Sequence, residues 1–302
     1  MPASRLIAAD WGTSSFRAFL LDADGTILDR RDGPHGILSV EKGDFAATLS
    51  AEIGGWLGSP GRCPVLLSGM IGSRQGWRET PYIDAPAGIG DLAAGLVPAT
   101  LESADVRIVP GVRTTAGAMP DVMRGEEVQV LGAMARLGVD GGRFVLPGTH
   151  SKWVMTEAGR ITGFVTYMTG EIYAALRGHT ILGRLMHDGE ACGDAFDHGA
   201  REGARAGTPG ALLNRLFGVR TAGLFDRFSA TELPEYLSGL LIGAEIADQL
   251  ARDARPVCIV ASDALAERYR AAAAQLGLPT QALPADCTAD GYVAIARLAK
   301  LI

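Results

Sequence analysis

Asp10, Gly12, Thr13, Ser14 and Arg17 stand close together in the segment DWGTSSFR. Gly148, Thr149, His150, Ser151 and Lys152 form a second group, in GTHSK. Each group lies between short apolar runs, so each reads as a tight turn joining two strands. A turn of this composition offers main-chain N–H groups and hydroxyls at close range, which is phosphate-binding chemistry. Glycine is needed there because a side chain would hold the backbone away from phosphate oxygens. A carboxylate beside phosphates, here Asp10, holds Mg²⁺, often through water. Arg17 would reach a transferring phosphoryl group, and His150 and Lys152 would add positive charge. The same D-x-G-T pattern also fits a plain hairpin in which Asp10 caps the turn.

The surrounding elements repeat. LIAADWGTSSFRAFLLDADGTIL and RFVLPGTHSKWVMTEAGRITGF are each strand, Gly-Thr turn, strand, Gly turn, strand. Gly12-Thr13 aligns with Gly148-Thr149, and Ser15 with Ser151. Matching hairpins that each open one half of a chain indicate duplicated halves, and two turns of this kind would grip a polyphosphate from both sides. Strands are predicted at 6–9, 15–21, 26–30, 65–67, 106–109, 144–146, 152–156, 161–166, 257–260 and 280–283. Helices are predicted at 44–57, 126–137, 171–176, 212–217, 234–251, 265–276 and 291–301. This alternation is that of an α/β protein. The polar stretch 69–90, rich in Gly and Pro, reads as a functional loop, because its Arg74, Trp77, Arg78, Tyr82 and Asp84 argue against disorder.

Composition narrows the classes. The chain has 302 residues, 47% of them apolar, and a net charge of −6. That supports a sizeable core and argues against a nucleic-acid-binding stripe. No apolar run reaches the length of a membrane span. The start, Met1-Pro2-Ala3-Ser4-Arg5, has no signal-peptide pattern. Cys63, Cys192, Cys258 and Cys287 are scattered singly, without C-x-x-C, so a reduced, cytoplasmic compartment is expected. A P-loop, a dinucleotide fingerprint behind a strand, zinc-ligand spacing and a G-x-S-x-G elbow are all missing.

DWGTSSFRAFLLD and LPGTHSKWV resemble the two phosphate motifs of the sugar-kinase/Hsp70/actin superfamily. LSGMIGSRQGW, PDVMRGEEVQVLGA, PGTHSKW and YMTGE are similar to segments of the bacterial 2-keto-3-deoxy-galactonate kinase family, and the likeness runs along essentially the whole chain. It implies two ribonuclease-H-like, actin-like ATPase domains flanking a nucleotide cleft, with a cut expected between residues 1–118 and 119–302. It also implies ATP, Mg²⁺ and phosphorylation of a terminal hydroxyl of 2-dehydro-3-deoxy-D-galactonate.

The resemblance places an acidic base on Glu126 in RGEEVQVLG, with a one-residue slip choosing Glu127. Sugar kinases of the glycerol-kinase type usually carry Asp there. As first-turn residues, both glutamates would in any case complement a helix dipole. Asp121 and Glu171 are reserve candidates, and Glu171 also suits Mg²⁺ or a helix cap. For the sugar-acid carboxylate the resemblance points first to Arg74, with Gln75, Trp77, Tyr82 and Arg124 beside it; a guanidinium matches a carboxylate bidentately. The aromatics equally suit anchors of the loop. Adenine is expected near Ala261-Ser262-Asp263, where glycines are usual and Ser262 also suits an N-cap. A small sugar acid and a second copy of the chain are the expected partners. Other sugar acids, a phosphohydrolase and an ATP-dependent switch remain alternatives on the same scaffold.

Overall fold

The computed structural model describes residues 5–57, 63–190, 193–207 and 210–302. Met1–Ser4 and Cys192 lie outside the described residues. Cys63, Cys258 and Cys287 are buried.

The chain opens with β1 (Arg5–Trp11), β2 (Phe16–Asp22), β3 (Ile27–Gly33), α1 (Phe45–Leu57) and β4 (Val65–Ser68). Next come β5 (Ile83–Asp84), β6 (Ala87–Gly88), α2 (Ile89–Ala94), β7 (Val97–Leu101), β8 (Ala104–Ile108), β9 (Val112–Thr114) and β10 (Asp121–Met123). α3 (Glu126–Leu137), β11 (Gly142–Leu146), β12 (Ser151–Glu157) and β13 (Arg160–Tyr167) complete the middle. α4 (Thr169–His179), α5 (Ala195–Ala204), α6 (Ala211–Leu224) and α7 (Leu233–Arg252) follow. β14 (Val257–Ala261), α8 (Asp263–Gln275), β15 (Thr280–Pro284) and α9 (Thr288–Leu298) close the chain.

One sheet has the order β3-β2-β1-β4-β8-β7 and another β15-β14-β11-β12-β13-β6. The sequence repeat is therefore a repeat of topology: β3-β2-β1-β4-β8 corresponds, strand for strand, to β13-β12-β11-β14-β15. A small sheet, β10-β9-β5, gives order to the loop after β4.

Two compact units emerge: residues 1–142, 154–165 and 285–302 in one, 143–153 and 166–284 in the other. This division differs from the expected cut at 118/119. Helix α3 stays with the first unit because α9 returns to pack on it. A Cβ at Gly132 would lie 2.1 Å from the Cys287 carbonyl oxygen, and one at Gly291 2.3 Å from that of Val128. The two helices thus meet backbone to backbone.

In the first unit, strand alternation sends Ile7, Ala9 and Trp11 to one face of the sheet, against Phe45, Leu49, Ile53 and Trp56 of α1. Trp11 meets Phe16 and Phe45 edge-on at 5.2 and 5.8 Å. Asp10 therefore points to the opposite face, where α3 and α9 lie. In the second unit, Val145, Trp153, Val257 and Ile259 pack with Ile242 and Ile246 of α7 and Tyr269 and Ala272 of α8. α5 lies almost in backbone contact with α7: a Cβ at Gly203 would fall 2.0 Å from the Leu240 carbonyl oxygen.

Candidate active site

Asp10, the penultimate residue of β1, lies between Arg17 of β2 and Ser68 of β4. Two glycines with left-handed backbone close over it. A Cβ at Gly69 (φ +88°) would lie 2.7 Å from Asp10 Oδ1, and one at Gly125 (φ +109°) 3.2 Å from the same oxygen. Any other residue would be strained and would collide. Gln129 Nε2 donates to Asp10 Oδ2 at 3.4 Å. Burial first, and then the charge of Glu126, push Asp10 up to about 6, against the pull of Arg17 and Gln129. Arg17 itself is held by Asp32 at 2.9 Å.

α3 begins at Glu126, and its first two residues behave differently. Glu127 is fully buried, and both its carboxylate oxygens accept the Gly125 N–H, at 2.9 and 2.8 Å. Burial, then the Glu126 charge, push Glu127 up to about 8. At neutral pH it therefore holds a proton for most of the time. Glu126 is half-buried, and its Oε2 accepts the Arg124 main-chain N–H at 2.9 Å. Beneath them, Ser68 and Tyr292 are buried and share a 2.5 Å hydrogen bond. Asp121, the reserve acid, starts β10 and accepts the Val122 N–H at 2.7 Å.

The loop after β4 is ordered, as expected from its aromatics. Arg74 is 88% exposed, with Glu79 at 3.5 Å. The Gln75 N–H donates to Ser73 Oγ at 3.3 Å. Trp77 packs against the first core, so it anchors the loop. Tyr82 lies under the Arg124 guanidinium, whose carbon is 4.3 Å from the ring centroid. Arg124 is 8% exposed and engages Thr80 through its side-chain oxygen and, at 3.0 Å, its carbonyl. The expected direct substrate contact from Arg124 thus meets a guanidinium largely committed to the loop.

The first turn exposes Thr13, Ser14 and Ser15 and is closed by Gly12 N–H to Ser15 O at 2.9 Å. The second exposes Thr149 and His150, while Ser151 and Lys152 turn inward. Ser151 Oγ bonds the Tyr269 hydroxyl at 2.7 Å, and Lys152 Nζ donates to Thr166 Oγ1 at 2.8 Å. Those two side chains, expected at the phosphate, instead support the turn from beneath. The second turn also rests on α4: a Cβ at Gly170 would meet Gly148 O at 2.4 Å, and the Glu171 N–H donates to Thr149 O at 2.9 Å. Glu171 Oε2 and His150 Nε2 lie 2.5 Å apart.

Behind the second turn sits a residue the sequence did not single out. Glu245 is 3% exposed and accepts from Trp153 Nε1 at 2.7 Å, from the Tyr269 hydroxyl at 2.9 Å and from Thr169 Oγ1. Burial pushes its carboxyl up to about 7. Gly69, Gly125, Gln129, Ser68 and Tyr292 were also missed. Only Gly69, directly after an apolar strand, carried a local signal. Ser262 stands at the N-cap position of α8, without a side-chain capping bond.

Among the described residues no cluster of three or more acidic, His or Cys side chains forms a metal cage. The donor set still fits Mg²⁺. One half-buried carboxylate with an acidic neighbour suits an ion that keeps most of its waters and leans on phosphates. No helix among the described residues is long and apolar enough to cross a membrane.

A family model described as 2-keto-3-deoxy-galactonokinase matches residues 10–295. A protein named 2-dehydro-3-deoxygalactonokinase from Escherichia coli (strain K12) is 34% identical over 286 residues, 94% of each chain. One named probable 2-dehydro-3-deoxygalactonokinase, from Rhizobium meliloti (strain 1021), is 38% identical over 283 residues, 92% of each. A crystal structure assigned to a 2-dehydro-3-deoxygalactonokinase protein from Sinorhizobium meliloti superposes with a TM-score of 0.88 at 37% identity, covering 97% of this chain and 98% of that one. At the level of fold alone, the ADPNP-bound activator of 2-hydroxyisocaproyl-CoA dehydratase from Clostridium difficile gives 0.53 at 12% identity, covering 98% and 96%. Sequence and fold therefore agree along the chain, which belongs to the 2-keto-3-deoxy-galactonokinase family.

Proposed function

We propose that this protein transfers the γ-phosphoryl group of ATP to the 6-hydroxyl of 2-dehydro-3-deoxy-D-galactonate, giving the 6-phosphate and ADP. The observation that carries this reading is the convergence of Asp10 and Glu126 where β1 ends and α3 begins, closed over by Gly69 and Gly125. Family membership supports the choice of acceptor.

Glu126 is the base. It is the accessible glutamate of the pair, whereas Glu127 is buried and holds its proton. Glu126 takes the hydroxyl proton as the acceptor oxygen bonds to the γ-phosphorus, and the bond to the bridging oxygen breaks toward ADP. Asp10 would hold Mg²⁺ through water, and the bound ion supplies charge neutralisation at the phosphates. The exposed Gly12–Ser14 turn, and the Gly148–His150 turn with its main-chain N–H groups, take phosphate oxygens. Arg17 adds positive charge beside Asp10. Arg74, assisted by Gln75, pairs with the acceptor carboxylate.

ADP formation coupled to NADH oxidation, with ATP and Mg²⁺, tests the reading on 2-dehydro-3-deoxy-D-galactonate, its gluconate epimer, hexoses and glycerol. Turnover that depends on the galactonate derivative is the expected result. Preference for the epimer would keep the mechanism and change the acceptor. ADP formation indifferent to every acceptor would leave a phosphohydrolase. A cytoplasmic location and a homodimer are proposed as well; light scattering reads out the dimer.

A further inference from the structure

Arg124 is the single residue between β10 and Gly125, and it touches both halves of the acceptor side. Its main-chain N–H holds Glu126 Oε2 at 2.9 Å. Its side chain closes the loop from residue 72 to residue 82. One arm of the guanidinium bonds Thr80 Oγ1 and the other reaches the Thr80 carbonyl at 3.0 Å, while the plane covers Tyr82 at 4.3 Å. The loop folds tightly around it. The Thr80 N–H donates to Gly72 O at 2.9 Å, and a Cβ at Gly72 would lie 2.9 Å from Arg124 Nη1.

Burying a cation this deeply is unfavourable, the more so because only its two Nη groups are bonded while the buried Nε has no partner, and an apolar side chain of similar size would fill the space at lower cost. The arrangement uses what only a planar, forked, stackable cation supplies. Arg74 and Gln75 lie within the closed segment and are exposed or lightly held, so their positions follow from its ends.

We propose that Arg124 is a positioning residue that latches the 72–82 loop to the start of α3, so that ordering the acceptor loop and orienting Glu126 are one event. The loop claim stands on this geometry. The kinetic consequence rests on the acceptor and base assigned above.

Hydrogen–deuterium exchange of Arg124→Lys against the unsubstituted protein, without ligand, tests the latch directly. Steady-state kinetics in ATP and acceptor follow. Peptides spanning 72–82 should exchange about tenfold faster, with β1 and β4 unchanged. The turnover number should fall about 10²-fold, as expected for a misplaced acceptor, with KM for ATP within about twofold. Thr80→Val keeps the side-chain shape, removes one latch bond and should shift both readouts the same way by less; it decides the matter if Arg124→Lys does not fold. Unchanged exchange over 72–82 overturns the proposal. So does a rise in acceptor KM with the loop still protected, since that marks a direct substrate contact. Faster loop exchange in a protein that phosphorylates no sugar acid would uphold the latch and remove the acceptor assignment instead.

Discussion

The two Gly-Thr turns share a sequence pattern and a place in matching sheet topologies, yet opposite chemistry has been built behind them. At the first, Asp10 stands two residues before Gly12; the residue two before Gly148, at the end of β11, is Leu146. Burial first, and then the charge of Glu126, raise the Asp10 carboxyl to about 6, against Arg17 and the Gln129 bond at 3.4 Å. The carboxylate behind the second turn, Glu245, is surrounded by donors from Trp153, Tyr269 and Thr169. A buried acid with filled acceptor positions is a structural brace, whereas Asp10 accepts a side-chain hydrogen bond from Gln129 alone among the described residues. The two turns thus match in pattern and in sheet topology and differ in the carboxylates behind them.

That contrast breaks most visibly in turnover. Glu126→Gln and Asp10→Asn should each lower the turnover number by about 10²–10⁴-fold, whereas His150→Ala should change it by less than about tenfold. Stopped-flow or coupled assays under saturating ATP and acceptor decide it. Equal losses from both turns would erase the asymmetry.

Glu127 offers a sharper test, in stability. Its carboxyl rises from an ordinary 4.5 to about 8 in the folded chain. The folded protein therefore keeps a proton that the unfolded chain gives up, and stability falls as pH climbs from about 4.5 to about 8. At roughly 1.4 kcal/mol per unit, the loss is on the order of 5 kcal/mol. Glu127→Gln has no proton to lose, so its urea midpoint should overtake that of the parent between pH 5 and 8. Parallel pH profiles for the two proteins would contradict the assignment.

Glu245→Ala should destabilise the protein by about 3 kcal/mol, because it strands the buried Trp153 indole N–H and takes an acceptor from Tyr269 and Thr169. Glu245→Gln should cost about 1 kcal/mol, with turnover at permissive temperature nearly unchanged. Denaturant unfolding measures both. A large catalytic loss in a stably folded Glu245→Gln protein would mean that the brace takes part in the reaction.

The strand–turn–strand repeat was legible because a turn imposes its residues locally: Gly, Thr and Asp stand where neighbouring backbone requires them. The long helices were legible from their periodicity. Helix α5 was not, because AFDHGAREGA is rich in small residues for the sake of contact with α7, and small residues weaken a helical pattern. Strands β7, β9 and β10 are short and lie among polar residues. Glu126 and Glu127 were recognisable as a pair, but only burial separates them, and burial of Glu127 depends on a fold completed by α9. The inward turn of Ser151 was likewise hidden, since its partner Tyr269 is 118 positions away.

The aligned serines carry the smallest expected effect and the cleanest contrast. Ser15 is exposed on the first turn, whereas Ser151 is buried against Tyr269. Ser151→Ala should cost about 1 kcal/mol of stability, since Tyr269 keeps its bond to Glu245 at 2.9 Å. KM for ATP should stay the same. Ser15→Ala should leave stability within about 0.5 kcal/mol and raise KM for ATP about threefold, by removing a hydroxyl from the phosphate turn. Thermal unfolding and ATP saturation curves on the same two variants read both quantities. If Ser151→Ala moves KM instead, the buried hydroxyl rotates out when nucleotide binds, and the two turns are more alike in use than they are at rest.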